Sequence, residues 1–126
     1  MSYQKLDIWQ RSYRLFLDCH KLSLTLPAVE KYAMADQLRR AALSIPLNIA
    51  EGYGHKEYQR DYVRFLVIAL GSKEEVCVLL QACEDLGYAD GSQISKLLNE
   101  YKVVGAGISS LKRVVQNEIG REKCNV

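Results

Sequence analysis

The run RRAALSIPLNIAEGYG, residues Arg39–Gly54, decides the fold of this chain. Apolar residues recur within it and just before it at three- and four-residue spacing, which is typical of one buried face of a helix. The stripe consists of Met34, Leu38, Ala41, Ala42, Ile45 and Ile49. The pattern therefore predicts a helix over residues 32–51.

Pro46 lies inside this helical pattern. Because proline has no backbone N–H and its ring presses on the preceding turn, we expect a kink at this point. Ser44 or Asn48 is placed to bond the backbone groups that the proline frees. Gly52 and Gly54 are expected to end the helix, since glycine is common just past a helix end.

Two helices carry apolar residues on the face opposite their core stripe. On the second helix these are Leu43, Leu47 and Ala50, and on the third they are Val63, Val67 and Leu70. A helix that is apolar on both sides is normally buried on both sides, and monomers avoid large exposed apolar patches. We therefore predict that these six residues form the interface of a homo-oligomer, with a closed ring as the expected form.

Three further helices follow from similar spacing. The first, over residues 6–25, has a seam of Leu6, Trp9, Tyr13, Phe16, His20 and Leu24. The third, over 57–86, has a seam of Tyr58, Tyr62, Phe65, Ala69, Ser72, Val76, Leu79, Cys83 and Leu86. The fourth, over 90–119, has a seam of Ile94, Leu97, Tyr101, Val104, Ile108, Leu111 and Val115, with Asp90 or Ser92 as its N-cap.

Short connections join these four helices, so consecutive helices are expected to be antiparallel neighbours. The predicted fold is all-α, an up-down-up-down four-helix bundle with a proline-kinked second helix. With 126 residues the chain is long enough for one domain with one core. That domain is predicted over residues 1–120, with a flexible tail over 121–126.

The central run and two motifs after it resemble the signature of a known family. These motifs are Tyr62-x-x-Phe65-Leu66 and Ala69-x-Gly71-Ser72-x-x-Glu75. The family is the four-helix-bundle family named for proteins encoded in intervening sequences of bacterial large-subunit ribosomal RNA. It also contains the accessory variability determinant of diversity-generating retroelements. The resemblance extends from about Leu6 to Leu111 and implies a homopentamer, with one member working with RNA and a reverse transcriptase.

Composition and spacing argue against several functions. The four cysteines include no Cys-x-x-Cys pair and the two histidines are far apart, so no metal or cofactor site is predicted. His20 is expected in the core, and the adjacent Glu74 and Glu75 project in different directions, so we expect no enzyme. No apolar run is long enough to span a membrane and no leader opens the chain, which favours the cytoplasm.

A polar group follows one edge of the second helix: Arg40, Ser44, Asn48 and Glu51. We interpret it as a hydrogen-bonded structural network in which Arg40 pairs with Glu51 or Glu75; a ligand site is the alternative. Together with Pro46 and Gly52, the residues Ser44, Asn48 and Glu51 form the predicted structural motif.

Basic residues gather around the connection between the second and third helices. The predicted nucleic-acid-binding residues are Arg39, Arg40, Lys56, Arg60 and Arg64. The net charge of +2 is small, so any field that attracts phosphates must be local. Acidic residues Glu51, Glu57 and Asp61 are interleaved, which leaves a neutralised surface as the alternative.

These observations lead to two hypotheses. The first is a non-catalytic oligomeric scaffold that binds structured RNA or DNA electrostatically, as an accessory to a nucleic-acid enzyme such as a reverse transcriptase. The second is a protein-binding module whose apolar outer faces dock a partner and which binds no nucleic acid.

Overall fold

The computed structural model describes residues 2–124, with side chains as far as residue 121. Four helices follow one another: α1 (Asp7–Ser23), α2 (Met34–Gly54), α3 (Gln59–Asp85) and α4 (Gly91–Cys124). Two short 3-10 helices, Tyr3–Lys5 and Ala28–Glu30, lie before α1 and between α1 and α2. The described residues contain no strand, which confirms the all-α class.

The helices form an antiparallel bundle. Each helix packs against the next along the chain, and α4 returns to pack against α1. The backbones of α1 and α3, like those of α2 and α4, lie diagonally across the bundle, with no Cα atoms within 8 Å of each other among the described residues. Two side-chain contacts show the register of α2 against α3: Ser44 Oγ lies 2.8 Å from Ser72 Oγ, and Cys83 Sγ lies 3.8 Å from Met34 Sδ. The up-down-up-down prediction is confirmed.

Helix α2 continues through Pro46, and no kink is established there. The Asn48 side-chain amide donates to the carbonyl of Ser44 at 2.8 Å and to its hydroxyl at 3.0 Å. Pro46 has no N–H to donate to the carbonyl of Ala42, four residues earlier. Both bonds from the Asn48 amide go to Ser44 and not to that carbonyl. Pro46 is buried, so its ring contributes apolar packing to the core.

The second helix was predicted to end at residue 51, with Gly52 and Gly54 stopping it, but α2 passes through Gly52 and ends at Gly54. Gly52 instead permits a close approach of two helices. A Cβ atom built on Gly52 would lie 3.0 Å from Phe65 Cβ and 3.0 Å from Tyr62 Cδ1 on α3. The glycines therefore do not form a loop, and the connection to α3 is only the four residues between the two helices.

The predicted seam of α1 was only partly right. Leu6, Trp9 and Phe16 are half-buried and pack against the core, but Tyr13, His20 and Leu24 are exposed. The fully buried residues of α1 lie part of a turn away: Ser12, Leu15, Cys19, Leu22 and Ser23. Three of these five, Ser12, Cys19 and Ser23, carry little hydrophobic signal in a sequence, so the aromatic residues beside them dominated the pattern.

The seams of α3 and α4 agree closely with prediction, apart from Tyr58 and Leu86, which are exposed at the ends of α3. Asp90 caps α4: its side-chain oxygen accepts the backbone N–H of Gln93 at 2.8 Å. Gly87 has a φ of +77°, as suits the glycine that follows a helix. Helix α4 continues to Cys124, beyond the predicted end at 119; residues 125 and 126 of the predicted tail lie outside the described residues.

Candidate functional surfaces

Three basic side chains lie together where α2 turns into α3. Arg60 and Arg64 are one turn apart on α3, and Lys56 precedes them in the connection. We call these three residues the basic turn. All three are exposed to solvent, and Arg60 has no ion-pair partner among the described residues. Arg64 lies 3.9 Å from Asp61, which neutralises part of its charge.

Aromatic rings hold two of these cations in place. The Lys56 ammonium lies 4.0 Å from the centre of the Tyr53 ring, and the Arg64 guanidinium lies 4.6 Å from that of Phe65. His55 also stacks near Phe65, with ring centres 5.2 Å apart. Cation–π contacts of this kind orient a charge without neutralising it. The basic turn therefore presents partly ordered positive charge.

Arg39 and Arg40 lie apart from the basic turn. They are in the first half of α2, whereas Lys56 follows its last residue, so about 25 Å of helix separates the two groups at 1.5 Å per residue. Arg40 is 81% exposed and pairs with Asp36 at 3.3 Å, not with Glu51 or Glu75. The predicted pairing of Arg40 with Glu51 or Glu75 was therefore wrong. Asp36 takes this place because it lies one helical turn from Arg40 on the same face.

The polar network beside Pro46 is present but differs in membership. Ser44 and Asn48 belong to it as predicted, and Ser72 of α3 completes it. Glu51 is exposed, and its backbone carbonyl lies 2.8 Å from the His55 ring nitrogen. The network therefore links α2 to α3 near their midpoints. Its polar side chains are already hydrogen-bonded to one another or to backbone, which favours the structural interpretation over a ligand site.

The outer faces of α2 and α3 are only partly covered. Leu47 and Val67 are each 50% exposed. The other four predicted interface residues, Leu43, Ala50, Val63 and Leu70, are half-buried. These faces thus keep apolar surface in contact with solvent in a single chain, as the sequence predicted.

An aromatic ladder runs along the edge of α1. Trp9 and Tyr13 stack with ring centres 5.0 Å apart and planes at 9°, and Tyr3 meets Trp9 edge-on at 5.1 Å. Phe16 continues the row toward His20, at 6.1 Å. Trp9 and Phe16 also pack against the core, whereas Tyr13 is 40% exposed. The three- and four-residue spacing was visible in the sequence, but which of these rings stays exposed depended on the rotation of α1.

A groove between α1 and α4 contains charges of both signs. Arg11 and Arg14 line it together with Asp18 and Glu100. Its volume is about 220 Å³. Because opposite charges alternate within it, this groove has no strong preference for an anion.

A thiol and a phenol meet in the core. Cys19 Sγ lies 3.4 Å from the Tyr101 hydroxyl, and both side chains are fully buried. Burial raises the pKa of Cys19 to about 11, although the bond to Tyr101 works against this shift. Burial likewise raises the pKa of Tyr62 to about 12. A thiol with a raised pKa is a poor nucleophile, so Cys19 is suited to packing.

The described side chains include no group of three or more histidine, cysteine or acidic residues placed to hold a metal ion. Within residues 2–124, no helix has the combined length and apolar content that crossing a bilayer requires.

The chain is thus an antiparallel four-helix bundle with a basic turn at one end and half-covered apolar outer faces. It belongs to the 23S rRNA-intervening sequence protein family, whose model matches residues 4–110. This confirms the family indicated by the central motif; the link to the retroelement determinant stays a prediction.

A solved structure shares this fold. It is a protein with unknown function from the S23 ribosomal protein family of Bacteroides thetaiotaomicron VPI-5482, with a TM-score of 0.77 and 21% sequence identity. The match covers 84% of the present chain and 95% of that one. At this identity the likeness establishes the fold alone. A comparison with curated proteins found no match.

Proposed function

We propose that this protein is a non-catalytic, homo-oligomeric scaffold that binds structured RNA through the basic turn. The observation that carries the proposal is the exposure of Lys56, Arg60 and Arg64 at one end of the bundle. Phosphate contacts from lysine and arginine supply sequence-independent affinity for nucleic acid. The family's name, which refers to an intervening sequence of 23S rRNA, favours RNA over DNA.

Assembly strengthens this proposal. The net charge of a single chain is only +2, so three local cations exert a modest field. A ring of identical chains repeats the basic turn once per subunit and sums its field over one surface. Leu47 and Val67 are half-exposed, and burying these apolar side chains against another subunit would favour self-association. By family resemblance, the proposed ring has five subunits and serves a nucleic-acid enzyme in the cytoplasm.

Binding to a structured RNA across a salt series tests the proposal. We expect log affinity to fall linearly with log salt, by roughly one unit of slope for each phosphate contacted. The double variant Arg60→Glu with Arg64→Glu should weaken binding at least tenfold at low salt and reduce that slope. It should leave the oligomer intact, since neither side chain is among the six predicted interface residues.

A matched control separates the basic turn from net charge. Lys96→Glu with Lys102→Glu changes the net charge by the same amount on exposed positions of α4. It should weaken binding far less. Equal losses in both double variants, or no RNA binding at low salt, would contradict the proposal.

The apolar surface supports a second candidate, a module that docks another protein. The aromatic ladder on α1 and the exposed Leu47 provide the apolar and aromatic residues that protein interfaces favour. This candidate predicts a partner complex that survives the Arg60→Glu, Arg64→Glu double variant and is lost on Tyr13→Ala.

A further inference from the structure

A concave site lies at the end of the bundle away from the basic turn. It is formed where α1 ends, where the following segment crosses over, and where α2 begins, and its volume is about 400 Å³. We call it the α1–α2 pocket. Its volume is within the range of pockets that hold small molecules.

The lining of this pocket includes two cations, Arg39 and Lys31. His20 and Ser23 line it with them, and no acidic side chain is among its lining residues. The Arg39 side chain is only 25% exposed. Its Nη2 lies 3.8 Å from the carboxylate of Asp36, which neutralises part of its charge. A largely buried guanidinium beside a lysine favours a negatively charged occupant.

Arg39 retains unused hydrogen-bond donors. Its Nη1 donates to Ser23 Oγ at 3.1 Å, and its Nη2 donates to the carbonyl of Lys31 at 3.4 Å. A guanidinium carries five N–H groups in a planar fork. These two acceptors, with Asp36 at 3.8 Å from Nη2, position the fork at the pocket and leave further N–H groups for a carboxylate or phosphate oxygen.

Three further lining residues are apolar: Leu24, Leu26 and Ala28. Leu24 is 69% exposed, so it contributes little to the core, yet it lines the same pocket as the two cations. The cationic and apolar lining residues together match a molecule with a charged head and an apolar body.

We propose that the α1–α2 pocket binds a small organic anion with an apolar body, namely a carboxylate or a phosphate monoester. Arg39 and Lys31 bind the head, and Leu24 and Leu26 pack against the body. The site is distinct from the basic turn and does not depend on RNA binding.

Calorimetric titration of the full chain with four probes tests the required chemistry. Hexyl phosphate and hexanoate supply both head and body, hexan-1-ol supplies only the body, and inorganic phosphate supplies only the head. We expect one of the two amphipathic anions to bind at least tenfold tighter than hexan-1-ol and inorganic phosphate. Comparing hexyl phosphate with hexanoate identifies the preferred head.

Two surface variants test the location. Lys31→Glu and Leu24→Ser alter exposed side chains, so the fold should remain intact, which circular dichroism checks. Each should weaken binding of the preferred anion about tenfold or more, whereas Lys102→Glu and Val103→Ser on α4 should not. Arg39→Lys, which keeps the charge and loses the fork, should also weaken it.

Three outcomes would overturn the proposal: no saturable binding of either amphipathic anion, equal binding of hexan-1-ol, or affinity unchanged by both Lys31→Glu and Leu24→Ser. None of these outcomes bears on RNA binding at the basic turn, so the two proposals fail separately.

Discussion

Gly52 shows how a single residue sets the distance between two helices. It is buried within α2, and the space that a side chain would occupy is taken by Phe65 and Tyr62 of α3. Gly54, two residues later, has no atom within 4 Å of the position of its missing Cβ. The same residue type therefore has different roles at neighbouring positions.

Gly52→Leu is expected to destabilise the protein by about 1–3 kcal/mol, because the added atoms force α2 and α3 apart. Gly54→Leu, the matched control, should change the free energy of unfolding by less than about 0.5 kcal/mol, as is usual for exposed sites. Urea denaturation of both variants measures the difference. Equal destabilisation would show that the contact with α3 does not limit the site.

Cys19 should make stability depend on alkaline pH. Because its folded pKa is raised from 9.0 to about 11, the native state binds the proton more tightly than the unfolded state does. The part of the free energy of unfolding that comes from this tighter binding is fully present below pH 9 and is lost as the pH rises to 11. Within that window the loss is about 1.4 kcal/mol per pH unit.

Urea denaturation at pH 8 and pH 10.5 checks this, with Cys19→Ser as the comparison. Serine keeps a hydroxyl near Tyr101 but does not titrate in this range. The wild-type protein should therefore lose more stability between the two pH values than the variant does. Equal losses would assign the alkaline dependence to other groups, such as Tyr62.

At the scale of elements, the contact between α2 and α3 is specified by polar as well as apolar groups. The Ser44 and Ser72 hydroxyls meet at 2.8 Å, and the Asn48 amide bonds Ser44. The bond between Ser44 and Ser72 forms only when the two helices are in one register. A slip by one turn would leave partly buried hydroxyls without partners.

A double-mutant cycle on Ser44→Ala and Ser72→Ala measures this coupling. Each single variant should cost about 1 kcal/mol, with a coupling energy of about 0.5–1.5 kcal/mol between them. Ser110→Ala, at an exposed position of α4, should be neutral. Additive effects of the two substitutions would mean that the hydroxyl contact contributes nothing to the register.

At the scale of the whole molecule, the outer faces of α2 and α3 predict self-association. Leu47→Asp or Val67→Asp should convert the assembly to smaller species while the helix content is retained, because each side chain is half exposed in the single chain. Analytical ultracentrifugation and circular dichroism measure both properties. Val103→Asp, at a 53% exposed position of α4, is the control. An unchanged assembly in both face variants would contradict the interface prediction.

The candidate surfaces were only partly predictable from the sequence. Arg60, Arg64 and Lys56 are close in sequence, so local structure alone brings them together. Arg39 was grouped with them because α2 and α3 meet at this turn, but Arg39 is in the first half of α2, and the length of that helix carries it to the far end. There it meets Ser23 of α1, a contact that no local pattern contains.

The sequence by itself determined the number and order of the helices and the buried stripes of α2, α3 and α4. These features follow from apolar spacing and short connections, which act within a few turns of the chain. Only the tertiary structure decided the rotation of α1, because Cys19 becomes a core residue only when the large Tyr101 of α4 fills the space beside it. That rotation leaves Tyr13 of the aromatic ladder exposed and places His20 at the α1–α2 pocket. Packing volume is shared between helices that are distant in sequence, so no single helix pattern specifies it.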